Sequence, residues 1–134
     1  MKTVQIPRQI VNQLLQHAQS DDDLEVCGLI SAKNGKPCKV YPILNIADKP
    51  EHLYRMDGKQ QIDAMREMRE NDESLFAIYH SHPSSEAYPS KTDIDESQYP
   101  DAIYIIVSLN TKGVLDLRAF KLHGGEVSSL IVTL

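Results

Sequence analysis

The sequence predicts an α/β (α+β) fold in which a mixed central β-sheet is flanked by helices. Two segments, near residues 10–18 and 62–69, carry apolar side chains at helical spacing. Short apolar or alternating runs bounded by turn residues lie at 25–44, 75–79, 103–109 and 115–134, and they are typical of strands. Strands that alternate with helices in this way form a sheet with helices packed on it. The 134 residues suffice for one core, so we expect a single domain over residues 1–134.

Both helices have recognisable boundaries. The first is predicted from Pro7, which suits the first turn of a helix, to about Ser20. His17 lies off the apolar stripe of this helix, so we expect it to be exposed to solvent. The second is predicted to start at Asp57, in a capping-box pattern, and to end near Glu70.

The strands are predicted from turn residues and apolar runs. Residues 25–33 and 36–44 should pair as a hairpin around Asn34-Gly35, and Gly28 within a strand suggests a close approach by another group. Residues 45–56 read as irregular. The run 103–109 is almost continuously apolar, which predicts a central strand covered on both faces. After a turn at 110–113, residues 115–122 and 127–134 should form a last hairpin.

Charge and cysteine usage restrict the classes of partner. The formal net charge of -5 argues against nucleic acid as the main partner, because that binding depends on clustered lysine and arginine. No apolar run is long enough to span a bilayer, so no membrane partner is expected. Cys27 and Cys38 form neither a Cys-x-x-Cys motif nor a disulfide framework. We therefore expect a cytoplasmic protein.

The segment His80-Ser81-His82-Pro83 predicts a metal site. It follows the apolar run 75–79, and residues two apart on a strand point to the same face, so both imidazoles can aim at one point. Ser90 then opens a helix predicted over residues 90–98, with Asp93 in its first turn. Two neutral imidazoles and a carboxylate leave one position of a tetrahedral zinc ion open, as hydrolysis requires.

A structural explanation competes with the metal site. A lone His-x-His is a short motif that also occurs without metal. Ser90-x-x-Asp93 is also a capping box, and capping alone would explain both residues. Capping does not require histidines at a strand end, a proline-bounded loop and a carboxylate on the next helix together. That combination favours the metal site.

The motif resembles the JAMM signature of MPN-domain (MPN+) zinc metalloproteases, in which ten residues separate His-x-His from Asp. Here the ten residues are 83–92, and Pro89 precedes Ser90. The stretch Glu25-Val26-Cys27-Gly28-Leu29 looks like the strand on which the family carries a glutamate. The chain is most similar to the compact prokaryotic members. The resemblance implies an MPN/cytidine-deaminase-like arrangement of the sheet and helices.

The resemblance also implies an activity and the residues for it. The family hydrolyses amide or isopeptide bonds after the C-terminal Gly-Gly tail of ubiquitin-like proteins, and its compact bacterial members process sulfur carriers of this type. Zn2+ would be held by His80, His82 and Asp93. Glu25 would act as general base, and Ser90 would donate a hydrogen bond to the oxyanion.

Substrate contacts and two rival functions remain open. The region 45–56 borders the tail groove in the family, which makes His52, Tyr54 and Arg55 candidates for substrate contact, although packing over the core edge explains them equally well. The first rival function is a scaffold with an idle metal site. Such a scaffold has no need for a general base, so the presence of Glu25 argues against it. A nucleoside deaminase uses His-x-Glu with Pro-Cys-x-x-Cys, and the sequence has neither pattern. The sequence is compatible with cleavage of either a peptide or an isopeptide bond. It is also compatible with either a monomer or a homodimer.

Overall fold

The computed structural model describes residues 2–111 and 116–134, which form seven strands and three helices. In chain order these are β1 Thr3–Gln5, α1 Arg8–Ser20, β2 Cys27–Lys33, β3 Lys36–Ile43, α2 Gly58–Glu70, β4 Ser74–His82, α3 Lys91–Asp95, β5 Ile103–Ser108, β6 Asp116–His123 and β7 Glu126–Thr133. The strands form one sheet in the order β1-β7-β6-β5-β4-β2-β3. The predicted fold class, a mixed sheet with helices packed on it, is confirmed.

Strand pairing places β4 and β5 next to each other in the centre of the sheet. They run parallel, as do β1 and β7, whereas the other neighbouring strands are antiparallel. All six residues of β5 are buried, which confirms the predicted central strand. The connection from β4 to β5 carries α3. This helix is therefore the next element after β4, and a loop of eight residues connects it to the histidine motif at the end of that strand.

Helices pack on both faces of the sheet. On one face α1 buries Ile10, Leu14 and Ala18 in a core that includes Tyr79 of β4. On the other face α2 contributes Ala64 and Met68 to a second core that includes Ile78 of β4. Because side chains alternate along a strand, His80 and His82 lie on the same face as Ile78. The motif histidines therefore belong to the α2 face.

The helices depart from prediction in two places. The third helix ends at Asp95 and not at 98, because the N–H groups of Gln98 and Tyr99 donate to the hydroxyl of Tyr104 at 3.2 and 3.1 Å and not to helical carbonyls. The expectation of a solvent-exposed His17 was wrong. Its ring is partly buried, and its Nδ1 is hydrogen bonded to the Tyr79 hydroxyl at 2.8 Å. Among the described helices, none has the length and apolar character to cross a bilayer.

The strand boundaries also differ in detail. β2 starts at Cys27, so Glu25 lies just before the strand. The Asn34-Gly35 turn is confirmed, and both residues adopt positive φ (53° and 79°), as a tight hairpin turn requires. The short β1 was not predicted. Part of the predicted turn at 110–113 and the predicted strand start at 115 lie outside the described residues.

Gly28 confirms the expected close approach. A Cβ atom there would lie 2.5 Å from the Tyr41 carbonyl oxygen and 2.5 Å from the Tyr79 hydroxyl. The carbonyl belongs to the neighbouring strand and cannot move without disturbing the ladder. Gly28→Ala is expected to lower the free energy of unfolding by about 1–3 kcal/mol, as overpacking typically does. Urea denaturation measures this. Gly58→Ala is the control, because nothing lies within 4 Å of its Cβ position, and an equal loss there would contradict the steric explanation.

Candidate metal centre

The end of β4 brings the two motif histidines together. His80 pairs with Cys27 of β2 and with Ile106 of β5, and His82 is the last residue of β4. The residues are 1% and 3% exposed. Their Nε2 atoms lie 3.0 Å apart. The two-residue spacing on a strand thus aims both imidazoles at one point, as the sequence predicted.

The carboxylate of Asp93 reaches the same point from α3. Ser90 Oγ accepts from the backbone N–H of Asp93 at 3.1 Å, and Asp93 Oδ2 accepts from the backbone N–H of Ser90 at 2.9 Å, which is a reciprocal capping box. The same Oδ2 lies 3.1 Å from Nε2 of His80 and 3.2 Å from Nε2 of His82. Asp93 Oδ2 therefore belongs to both the capping box and the histidine cluster, because the cap holds this carboxylate next to the two rings.

The three atoms fit the ligand set of a small cation. Ligands of a tetrahedral zinc ion, each about 2.05 Å from the metal, lie about 3.3 Å from one another. Nδ1 of His82 lies 2.8 Å from the carbonyl oxygen of Glu86. A carbonyl can only accept, so this Nδ1 carries the proton and the neutral ring presents the lone pair of Nε2 to the cluster. The residues present thus suit a bound metal.

Glu25 lies beside this cluster with an unused carboxylate oxygen. The residue is 5% exposed. Its carboxylate and the ring nitrogens of His80 and His82 lie within 4.8 Å of one another, so these three residues also form a group that could hold a metal ion. Among the described residues, Glu25 Oε1 has no hydrogen-bond partner. A buried oxygen without a partner is costly unless something else fills the site.

The buried site perturbs all four titratable groups. Burial raises the pKa of Glu25 to about 7, with the Asp93 charge acting in the same direction and His82 opposing it. Burial opposes ionisation of Asp93, but its close contacts with His80 and His82 hold its pKa well below the usual range. Burial lowers the pKa of His80, whereas for His82 the bonds to Asp93 and Glu86 outweigh burial and raise the pKa. An ionised Asp93 and a neutral His80 are the metal-binding forms.

A cavity of about 560 Å3 opens beside the cluster. Tyr54, Arg55 and Asp93 are among the residues that line it. Tyr54 also stacks on the His80 ring, with centroids 4.4 Å apart and planes 25° apart. His52 is exposed and does not line the cavity. Of the three candidates for substrate contact, the structure therefore places two at the cavity.

Sequence reasoning missed Glu86 and Tyr54 as partners of the histidines. Glu86 orients His82 through its backbone carbonyl, and a residue that acts through its backbone leaves no side-chain pattern in the sequence. Tyr54 lies 26 residues before His80, outside the range of any local period. Only the tertiary structure brings Tyr54 to the His80 ring.

Comparison with protein families and sequences gives consistent matches. Residues 7–123 match the model of a family described as prokaryotic homologs of the JAB domain. The chain is 36% identical over 121 residues to the CysO-cysteine peptidase of Mycobacterium tuberculosis, covering 89% of this chain and 82% of that protein. It is 29% identical over 111 residues to the desampylase of Pyrococcus furiosus, covering 83% and 76% of the two chains.

Solved structures share the fold. A protein from Desulfitobacterium hafniense superposes with a TM-score of 0.84 at 27% identity, over 96% of this chain and 90% of that one. A JAB1/MPN domain protein from Archaeoglobus fulgidus superposes with a TM-score of 0.64 at 20% identity, over 98% and 100% of the two chains. The second likeness concerns the fold alone.

Proposed function

The chain belongs to the family of prokaryotic homologs of the JAB domain, and we propose that it is a zinc-dependent peptidase that hydrolyses the bond after the Gly-Gly tail of a ubiquitin-like sulfur carrier. One observation carries this proposal. Nε2 of His80, Nε2 of His82 and Oδ2 of Asp93 converge within 3.0–3.2 Å, with the unpartnered Oε1 of Glu25 beside them. Relatives named as peptidases support the reaction class.

His80, His82 and Asp93 would hold the zinc ion, and Glu25 would remain outside the ligand set. Asp93 is the better carboxylate ligand because its Oδ2 lies 3.1 and 3.2 Å from the two ring nitrogens, whereas Oε1 of Glu25 is hydrogen bonded to neither ring. When bound, zinc would polarise the scissile carbonyl and favour deprotonation of water at neutral pH. Tyr54 and the Glu86 carbonyl keep the two rings in place.

Glu25 would move the proton. Its Oε1 can accept a hydrogen bond from the attacking water and take its proton, then pass that proton to the leaving amine. A carboxyl whose pKa is about 7 both accepts and releases a proton readily near neutral pH. Burial at 5% exposure restricts exchange of that proton with bulk solvent.

Ser90 would donate its hydroxyl proton to the oxyanion. Its Oγ already accepts from the Asp93 N–H at 3.1 Å, but the O–H itself is a separate donor. Ser90→Ala is expected to cost about 1 kcal/mol of stability through the lost cap and about a hundredfold or more in turnover through the lost donor. Ser90→Asp separates the roles, because it restores the cap acceptor without a hydroxyl. Recovery of turnover in Ser90→Asp would contradict the oxyanion role and leave only the cap.

The cavity beside Asp93 would receive the carrier's tail. Its lining includes Tyr54, Arg55 and the proposed ligand Asp93, so a tail lying there would bring its last carbonyl close to the site. Glycines suit such an approach because they lack side chains. A scaffold with an idle site is the rival function. A buried Glu25 whose Oε1 has no partner would destabilise a scaffold and would serve no function there, which favours the peptidase.

The test uses the zinc-loaded protein and a ubiquitin-like sulfur carrier that ends in Gly-Gly-Cys. Mass spectrometry should record loss of the terminal cysteine, with no loss after chelation and none from a carrier whose Gly-Gly is changed to Ala-Ala. Cleavage that survives chelation would overturn the metal role. One bound zinc without cleavage of any such carrier or conjugate would favour the scaffold.

We also propose a cytoplasmic location. Cys27 and Cys38 are both free thiols in the structure, and free thiols persist in the reducing cytoplasm. Burial raises the pKa of the Cys27 thiol to about 12, which keeps it protonated and unreactive.

A further inference from the structure

Residues 44–57, named here the 44–57 loop, are held in place by hydrogen bonds from the side chain of Asn45. Nδ2 of Asn45 donates to the carbonyl oxygens of Glu25 and Leu53, both at 2.9 Å. Oδ1 accepts from the backbone N–H groups of Ala47 at 3.0 Å and Arg55 at 2.9 Å. A primary amide has two donor hydrogens and two acceptor lone pairs, so these four bonds use its whole capacity. Two carbonyls on one side and two N–H groups on the other leave a single orientation for the amide.

The N–H and C=O groups of Glu25 both bond to this loop. Its N–H donates to the carbonyl oxygen of Pro50 at 2.8 Å, and its C=O accepts from Asn45 at 2.9 Å. Glu25 lies before the first residue of β2, and the nearest bonds to the sheet are those between its neighbour Val26 and Ser81 of β4. Its Oε1 has no partner among the described residues. The position of this carboxylate therefore depends on the 44–57 loop through the backbone.

The side-chain amide of Asn45 also bonds to both peptide groups that flank Tyr54. The Leu53 carbonyl precedes Tyr54 and the Arg55 N–H follows it, and each bonds to Asn45. Tyr54 stacks on the His80 ring at a centroid distance of 4.4 Å. Among the described residues, Nδ1 of His80 has no hydrogen-bond partner, in contrast to Nδ1 of His82. Packing by Tyr54 takes the place of the hydrogen bond that would otherwise orient that ring.

We propose that Asn45 is a positioning residue that couples the Glu25 carboxylate to the His80 ring. One side chain joins the peptide of Glu25 to the two peptides around Tyr54, so movement of the loop displaces both groups together. The four hydrogen bonds of the Asn45 side chain all go to backbone groups and none to the proposed ligands, so it acts through Glu25 and Tyr54. Its effect on turnover rests on the proposed function, whereas its effect on Glu25 and His80 does not.

The test compares Asn45→Asp with the wild type. The aspartate keeps the shape and the acceptor oxygen but places a second oxygen against the carbonyls of Glu25 and Leu53. In the metal-free protein, hydrogen exchange at the Glu25 amide should accelerate at least tenfold while the ladder amides of Leu29 and Ile78 keep their rates. The ring resonances of His80 should shift as Tyr54 moves. In the zinc-loaded protein, kcat should fall at least tenfold, with a much smaller change in KM and unchanged zinc content.

Asn71→Ala is the matched control, because its Nδ2 also donates to a backbone carbonyl, that of Glu67 at 3.0 Å, at the far end of α2. It should change neither the Glu25 amide nor the His80 resonances. If Asn45→Asp does not fold, Asn45→Ala replaces it in the test. The alanine removes the four hydrogen bonds without placing a second oxygen against the two carbonyls. A folded Asn45 variant with wild-type exchange at Glu25 and wild-type His80 resonances would overturn the proposal. Faster exchange in a protein whose wild type cleaves no carrier would support the positioning role and overturn the proposed function.

Discussion

The variant Glu25→Gln is expected to lose about 100- to 10,000-fold in turnover, the range that a positioned general base contributes, while its zinc content stays unchanged. The amide keeps the size of the side chain but cannot take a proton from water. Since Oε1 of Glu25 is hydrogen bonded to neither ring, the change should leave the proposed ligands His80, His82 and Asp93 in place. Single-turnover cleavage of the carrier and metal analysis of the same sample measure both quantities.

Glu51→Gln is the control for this change, because Glu51 is an exposed glutamate in the 44–57 loop and the substitution is chemically the same. It should leave turnover and zinc unaffected. Full activity of Glu25→Gln would show that another group moves the proton. Loss of zinc together with activity would instead make Glu25 a ligand.

The metal-free protein offers a second measurement on Glu25, through the pH dependence of stability. The unfolded chain releases this proton near pH 4.5, whereas the buried carboxyl holds it up to about pH 7. The folded state binds more protons in that window, so the free energy of unfolding of the wild type should fall as pH rises through it. Glutamine does not ionise, so Glu25→Gln should lack this loss and gain stability relative to the wild type between pH 5 and pH 8. Urea denaturation at these two values would detect the difference, and parallel curves would contradict the raised pKa.

Local sequence patterns were sufficient to predict that His80, His82 and Asp93 converge, because these residues lie close together in the sequence. The two-residue repeat of a strand aligns His80 with His82, and a capping box fixes Asp93 against Ser90 within a single turn. The central strand β5 was equally predictable, because a strand covered on both faces has a continuous apolar sequence. These features depend on contacts between residues close in sequence or on burial alone.

The features that sequence reasoning missed depend on polar side chains that bond across the fold. Asn45 reads as one polar residue in an irregular stretch, yet it bonds to the Glu25 carbonyl twenty residues earlier. His17 lies off its helix stripe, but it finds the Tyr79 hydroxyl 62 residues away. The Tyr104 hydroxyl ends α3 early by taking two N–H groups that the helix would otherwise use. No periodicity records such a bond, because the partner is fixed by tertiary packing.

The variant His82→Ala is expected to lose both zinc and turnover, which distinguishes it from Glu25→Gln. It removes one of the three proposed ligands and leaves the Glu86 carbonyl without the ring that it orients. Loss of a partner that only supports a ligand weakens metal binding about 10- to 100-fold, so loss of the ligand itself should exceed that range. His52→Ala is the control, since His52 is an exposed histidine outside the cluster. Zinc content by mass spectrometry and affinity by chelator competition measure the effect. Zinc bound by His82→Ala with wild-type affinity would mean that the metal lies elsewhere, and the assignment of His80, His82 and Asp93 would fail with it.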